Sequence, residues 1–283
     1  MRNQFASTHP PTFSTREDSG NFLDRLGRRA MRLFGDVQGV LAFTLITLGV
    51  LFTKLGKASG VVHPGIRKQI ARGGVKLLPL TTFVGLALGL LIIGQTVSLL
   101  SQIGAQNLAG RIMVTVVVRE LGPMVAALLV LARIGTATVI ELGMARALGE
   151  IESLEALGID PVHFLVVPRV IGLAVSIFCL TVYLILTALV SGYVFAFLQD
   201  VPMRPSDYFS QLMSALVWQD FLLVGLKTLF FGGLIAMATC YEGLARPLRL
   251  EQVSTATTRA VVQGVAVCIL GDAIFLILYL IPD

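Results

Sequence analysis

Four ionisable residues stand inside otherwise apolar stretches of this chain, and their types could do chemistry together: Arg119, Glu120, Lys227 and Asp272. A charge inside a membrane-crossing helix is costly, so such residues mark a cavity or a charged partner. Arg119 and Lys227 are candidate charge-assisted donors to a phosphate, with Glu120 orienting them. The same four residues also suit an internal salt-bridge set, with Lys227 neutralising Glu120 or Asp272 and Arg119 snorkelling outwards. The two readings are compatible.

Other chemistries find no support. The histidines, His9, His63 and His163, fall in three separate loops, and Cys179, Cys240 and Cys268 show no pairing pattern. No metal site and no disulfide framework are expected. A hydrolase needs a nucleophile beside a base, yet G-x-S-x-G, H-E-x-x-H and paired intramembrane aspartates are all absent, so no catalytic residue is assigned. A G-x-x-x-x-G-K-[ST] loop is also missing, so the chain holds no nucleotide in the P-loop manner.

The elements that must position these charges are set by composition. Of 283 residues, 55% are hydrophobic and 14% charged, and the mean hydropathy is +0.83. Soluble domains carry about 25% charged residues. Apolar runs exceed the roughly 20 residues that cross a bilayer core, and backbone in lipid must satisfy its own hydrogen bonds, so the runs are helices. The predicted fold class is an all-α integral membrane protein. Five spans are expected, at about 77–100, 112–140, 170–198, 219–241 and 260–281. Residues 1–20 read as a disordered tail and 21–76 as amphipathic or interfacial helices, with 77–283 the membrane domain. Within 21–76, Phe22, Leu26, Ala30 and Leu33 recur at helical spacing among four arginines, and 37–52 is too short an apolar run for a straight crossing. Gly85 and Gly89, four apart in the first span, suit a close helix approach.

Charge sets direction. Residues 1–76 hold 12 of the 22 Lys and Arg, which places the N-terminus in the cytoplasm and, after five spans, the C-terminus outside. Glu120 and Lys227 then lie eight residues, and Asp272 nine, from the outer ends of their spans. At 1.5 Å per residue all three sit roughly 12–14 Å below the outer surface. That common depth predicts a polar layer open outwards, able to hold a lipid headgroup or other amphiphile.

Between the second and third spans runs ARALGEIESLEALGIDP, in which Leu148, Ile151, Leu154 and Leu157 recur every three residues between Glu150, Glu152 and Glu155. Gly158 and Asp160-Pro161 stop the helix. Too polar to span and too acidic for an anionic leaflet, this cytoplasmic helix, about 148–158, suits a groove on a protein partner.

The stretch RELGPMVAALLVLARIGTATVIELG from Arg119, with EIESLEALGIDPVHFLVVPR after it, resembles the MlaE family, the permease subunits of bacterial ABC systems that move phospholipids between membranes. ATTRAVV from Ala256 and then Asp272 are similar to the family's closing motif, and Lys227 falls where the fourth span often has a lysine. The resemblance covers roughly residues 35–283. The first 20 residues go beyond the family core, and the 243–253 loop is less glycine-rich than usual. The resemblance implies a homodimer in the bacterial inner membrane, each protomer with an in-plane N-terminal helix and five spans. It implies a lipid pocket at the dimer interface, for which Arg119, Glu120, Lys227 and Asp272 are the candidates. Cytoplasmic ATPase subunits, which bind the ATP, would seat the coupling helix through Glu150, Ile151, Leu154, Glu155, Leu157 and Gly158. An MCE-domain lipid-binding protein would cap the outer face. No cofactor in this chain and no nucleic-acid partner are expected. The other reading is an ion-coupled secondary transporter of an amphiphile, with Glu120 and Asp272 carrying protons, although no pair of interrupted, inverted spans is evident.

Overall fold

The computed structural model describes residues 39, 42–49, 59–105, 108–198, 204–244 and 250–280. Contacts divide the chain into Met1–Leu41, of which only Gly39 is described, and Ala42–Asp283. The expected tail over 1–20 and the arginine-rich helix over 22–34 therefore lie outside the described residues, as does part of 37–52, whose residues 42–49 are helical.

Every regular element among the described residues is helical, as the apolar composition requires. We number them α1 (Ser59–Gly73), α2 (78–102), α3 (Ala109–Ala147), α4 (Glu150–Ala156), α5 (Val162–Leu198), α6 (Pro205–Ala215), α7 (Trp218–Leu244) and α8 (Val253–Leu280). Five stretches are long and apolar enough to cross a membrane: Pro64–Gln102, Ala109–Ala147, Val162–Leu198, Trp218–Leu244 and Val253–Leu278. They coincide with the five expected spans and run several residues further at their basic ends. α1 thus carries Arg67, Lys68 and Arg72 as a helical extension of the first span.

α5 is the hub and packs against α1, α2, α3 and α7. The glycine pair in α2 explains one of these contacts. A Cβ at Gly85 would run into Thr187 Oγ1, and one at Gly89 into Ser191 Oγ and the Ala188 carbonyl. With both positions bare, Ser191 Oγ on α5 reaches the Leu86 carbonyl at 3.3 Å. α6 packs on the first turns of α3 and was missed by the sequence reading. Its Tyr208 is fully buried, donates to the Leu189 carbonyl at 3.0 Å, and has its phenol pushed up in pKa by burial.

Prolines follow three of the irregular turns, whereas the π-helical turns Gly89–Gly94 and Leu131–Gly135 stand without one. A proline removes its own N–H and crowds the carbonyl four residues earlier, so the turn before it must open or tighten. A 3₁₀ turn at Val75–Leu77 precedes Pro79, and π-helical turns at Val114–Leu121 and Val162–Val166 precede Pro123 and Pro168.

Candidate functional site

Pro123 sets up the site. Its missing N–H would have bonded the Arg119 carbonyl, four residues back, and that carbonyl lies in the π-helical turn Val114–Leu121. Lys227 of α7 reaches that carbonyl: its Nζ donates to Arg119 O at 3.1 Å. The same ammonium donates to Glu120 Oε2 at 2.7 Å and pairs with Asp272 Oδ1 of α8 at 2.6 Å. The charge layer read from depth is thus a contact cluster joining α3, α7 and α8. Lys227 pairs with both carboxylates, where the sequence reading offered one or the other.

Burial within the cluster is uneven. Lys227 is fully buried, whereas Glu120 and Asp272 keep 31% and 24% of their side-chain surface. Lys227 lies between two apolar cores along α7: Val224 belongs to the outer one, with Ile185 and Leu189, and Phe231 to the other, with Leu131 and Leu173.

Arg119 is 14% exposed and pairs through Nε with Asp220 Oδ1 at 2.7 Å. Asp220, 2% exposed, was missed because it stands at the edge of its span and reads as an ordinary helix terminus. Its other oxygen, Oδ2, accepts from Val217 N at 2.9 Å, so one carboxylate caps α7 and fixes the guanidinium. The available signal was an acid in the third position of a helix. With Asp220 included, the cluster holds two cations against three carboxylates. Arg119 also lines a cavity of about 640 Å³ with Arg111, Thr115, Gln211 and Ser214.

The acidic amphipathic helix forms α4, shorter than expected because glycines bound it. Gly149 and Gly158 have φ of 76° and 75°. Gly158 N bonds Glu155 O at 2.9 Å and Ile159 N bonds Leu154 O at 3.0 Å, the paired closure that a left-handed residue permits. Asp160 Oδ1 then accepts from Val162 N at 3.0 Å as α5 begins. Ile151 is buried in the membrane-domain core, while Leu157 is 74% exposed and Glu150 and Glu155 face outwards with it. Ile151, Leu154 and Leu157 line a groove of about 480 Å³ with Phe164 and Leu165.

Comparison with known proteins supplies a family. The model of the family described as permease MlaE matches residues 66–278. The intermembrane phospholipid transport system permease protein MlaE of Haemophilus influenzae is 28% identical over 249 residues, covering 86% of this chain and 92% of the relative. A probable ABC transporter permease protein of Rickettsia bellii is 25% identical with the same coverage. The chloroplastic protein trigalactosyldiacylglycerol 1 of Arabidopsis thaliana is 28% identical over 214 residues, 72% of this chain and 58% of the plant protein.

Proposed function

The chain belongs to the MlaE permease family, and from that premise we propose that it is the membrane-spanning subunit of an ABC-type system that moves phospholipid, with its outer charge cluster lining the lipid site. The exposure of Glu120 and Asp272 carries this reading. Carboxylates at that depth cannot face hydrocarbon cheaply, so their open side belongs to a water-filled pocket or a second copy of the chain. A homodimer with the pocket between protomers meets both conditions. Arg119, beside the cavity, presents cationic character to a headgroup phosphate, while Lys227 is buried and engaged with its three protein partners, and the open oxygens of Glu120 and Asp272 suit a headgroup amine.

The energy comes from elsewhere. Cytoplasmic ATPase subunits would bind ATP and seat on α4, whose buried Ile151 would transmit their closure into the helix bundle. A narrowing pocket would pass lipid to, or take it from, an MCE-domain protein on the outer face. This assignment places a multi-pass protein in the inner membrane with its N-terminus cytoplasmic and its C-terminus outside.

An ion-coupled carrier using Glu120 and Asp272 is less supported, because both carboxylates are already held by Lys227 as ion-pair partners. Transport by the reconstituted complex separates the two. Lipid movement that needs ATP and stops in R119Q/E120Q/K227Q supports the permease. Movement driven by a proton gradient without ATP, or undiminished in that variant, contradicts it.

A further inference from the structure

A second cluster of charge lies on the opposite, basic side of the membrane domain, away from the outer cluster. Lys68, Arg72 and Lys76 follow at four-residue steps, which keeps them on one face of α1 and the turn after it. Arg133 of α3 and Arg169 of α5 approach the same face. Glu141 of α3 ties two of them together, meeting Arg72 Nη1 at 2.5 Å and Arg169 Nη2 at 3.3 Å. Two adjoining cavities result, and Arg72 and Glu141 line both. One, of about 540 Å³, includes Lys68 and Arg169, and the other, of about 420 Å³, includes Lys76 and Arg133.

The charge balance is uneven. Five cations surround one carboxylate that Arg72 and Arg169 already share. Among the described residues, Lys68, Lys76 and Arg133 have no ion-pair partner, and all three are exposed. Depth also fits. Arg133 is thirteen residues beyond Glu120 along α3, roughly 20 Å, which with the 12–14 Å above Glu120 spans the ~30 Å hydrocarbon core and puts Arg133 at the cytoplasmic boundary. Leu80 and Phe83, four and seven residues past Lys76, are exposed apolar side chains on the bilayer side of the cations.

We propose that this cradle binds the headgroup of an anionic phospholipid of the cytoplasmic leaflet, with its phosphate among Arg72, Lys76 and Arg133 and its acyl chains along Leu80 and Phe83. Cations gathered from several helices at the cytoplasmic interface, beside an apolar surface, recognise negatively charged lipid and have no use for a neutral one. The site is distinct from the outer cluster in residues, side and charge sign, and it holds a resident lipid. Its basis is the sidedness given by the basic N-terminal region, independent of what the outer site transports.

The test uses the full-length, delipidated protein, with binding read by native mass spectrometry and by the thermal shift on adding phosphatidylglycerol or phosphatidylcholine. Wild type is expected to retain phosphatidylglycerol and to be stabilised by it more than by phosphatidylcholine. Each cation should contribute about fivefold in affinity, the equivalent of roughly 1 kcal/mol, so K68Q/K76Q/R133Q should lose about a hundredfold. The charge-preserving K68R/K76R/R133K keeps the preference, which separates the effect of charge at this site from loss of the side chains. Inorganic phosphate at millimolar concentration should not reproduce the shift. Equal retention of both lipids by wild type overturns the proposal, as does an undiminished preference in K68Q/K76Q/R133Q or a shift that free phosphate fully reproduces. It is overturned equally if that variant binds lipid normally and instead releases an acidic protein partner.

Discussion

Replacing Lys227 with methionine isolates what the buried ammonium does. Its shape is roughly kept, but Glu120 and Asp272 lose the cation that lies 2.7 and 2.6 Å from them, and the Arg119 carbonyl loses this donor. Breaking a buried ion pair from one side costs about 3–5 kcal/mol. The carboxylates keep 31% and 24% exposure, so the low end, about 3 kcal/mol, is expected. At about 2–4 °C per kcal/mol, Lys227→Met should melt roughly 6–12 °C below wild type in nanodiscs. Neutralising the partners as well, in K227M/E120Q/D272N, removes the uncompensated charges and should recover most of the loss, since whole buried ion sets exchange for neutral groups at little net cost. Thermal unfolding of the three proteins in one lipid checks this. A Lys227→Met protein as stable as wild type, or a triple variant no better than the single one, would refute the charge-neutralising role.

Three further outcomes follow from other contacts. Asp220→Asn keeps an oxygen to cap α7 but breaks a largely buried ion pair with Arg119 from one side, so it should cost about 3 kcal/mol by thermal unfolding and alter lipid retention. Gly89→Leu drives a side chain into Ser191 and the Ala188 carbonyl, and should lower stability by about 1–3 kcal/mol or more, seen as a lost α2–α5 cysteine crosslink. Ile151→Ala opens a core site and should cost about 2–5 kcal/mol by thermal unfolding, whereas Leu157→Glu, on the exposed side of α4, should leave the fold intact and weaken capture of the ATPase subunit in a pull-down.

The spans were legible because hydrophobic runs of 20 or more residues have few alternatives. Their basic ends were drawn short. Hydropathy falls where a helix leaves lipid, and α1, α3 and α5 continue past that point as half-polar helices carrying Arg72, Glu141 and Arg169. α6 escaped notice since it has only 11 residues and shows no sustained apolar run. For the site, depth counting brought Glu120, Lys227 and Asp272 to one level, and the structure brings them to one ammonium. Asp220 was hidden by its terminal position. The lysine–carbonyl bond was readable only from the spacing of Arg119 and Pro123, by asking where the carbonyl four residues before a proline finds its partner.

The most direct test of the lipid pathway places a photoreactive residue at Thr115, exposed in the outer cavity beside Arg119, with a control at Val190, exposed on α5. In the assembled transporter, illumination should attach phospholipid at both positions. Trapping the ATPase with ATP and vanadate should empty the Thr115 site and spare Val190, and Arg119→Gln should lower the yield at Thr115 alone. A Thr115 adduct that is absent, or that responds to neither ATP nor Arg119→Gln, would contradict a lipid site at the outer charge cluster.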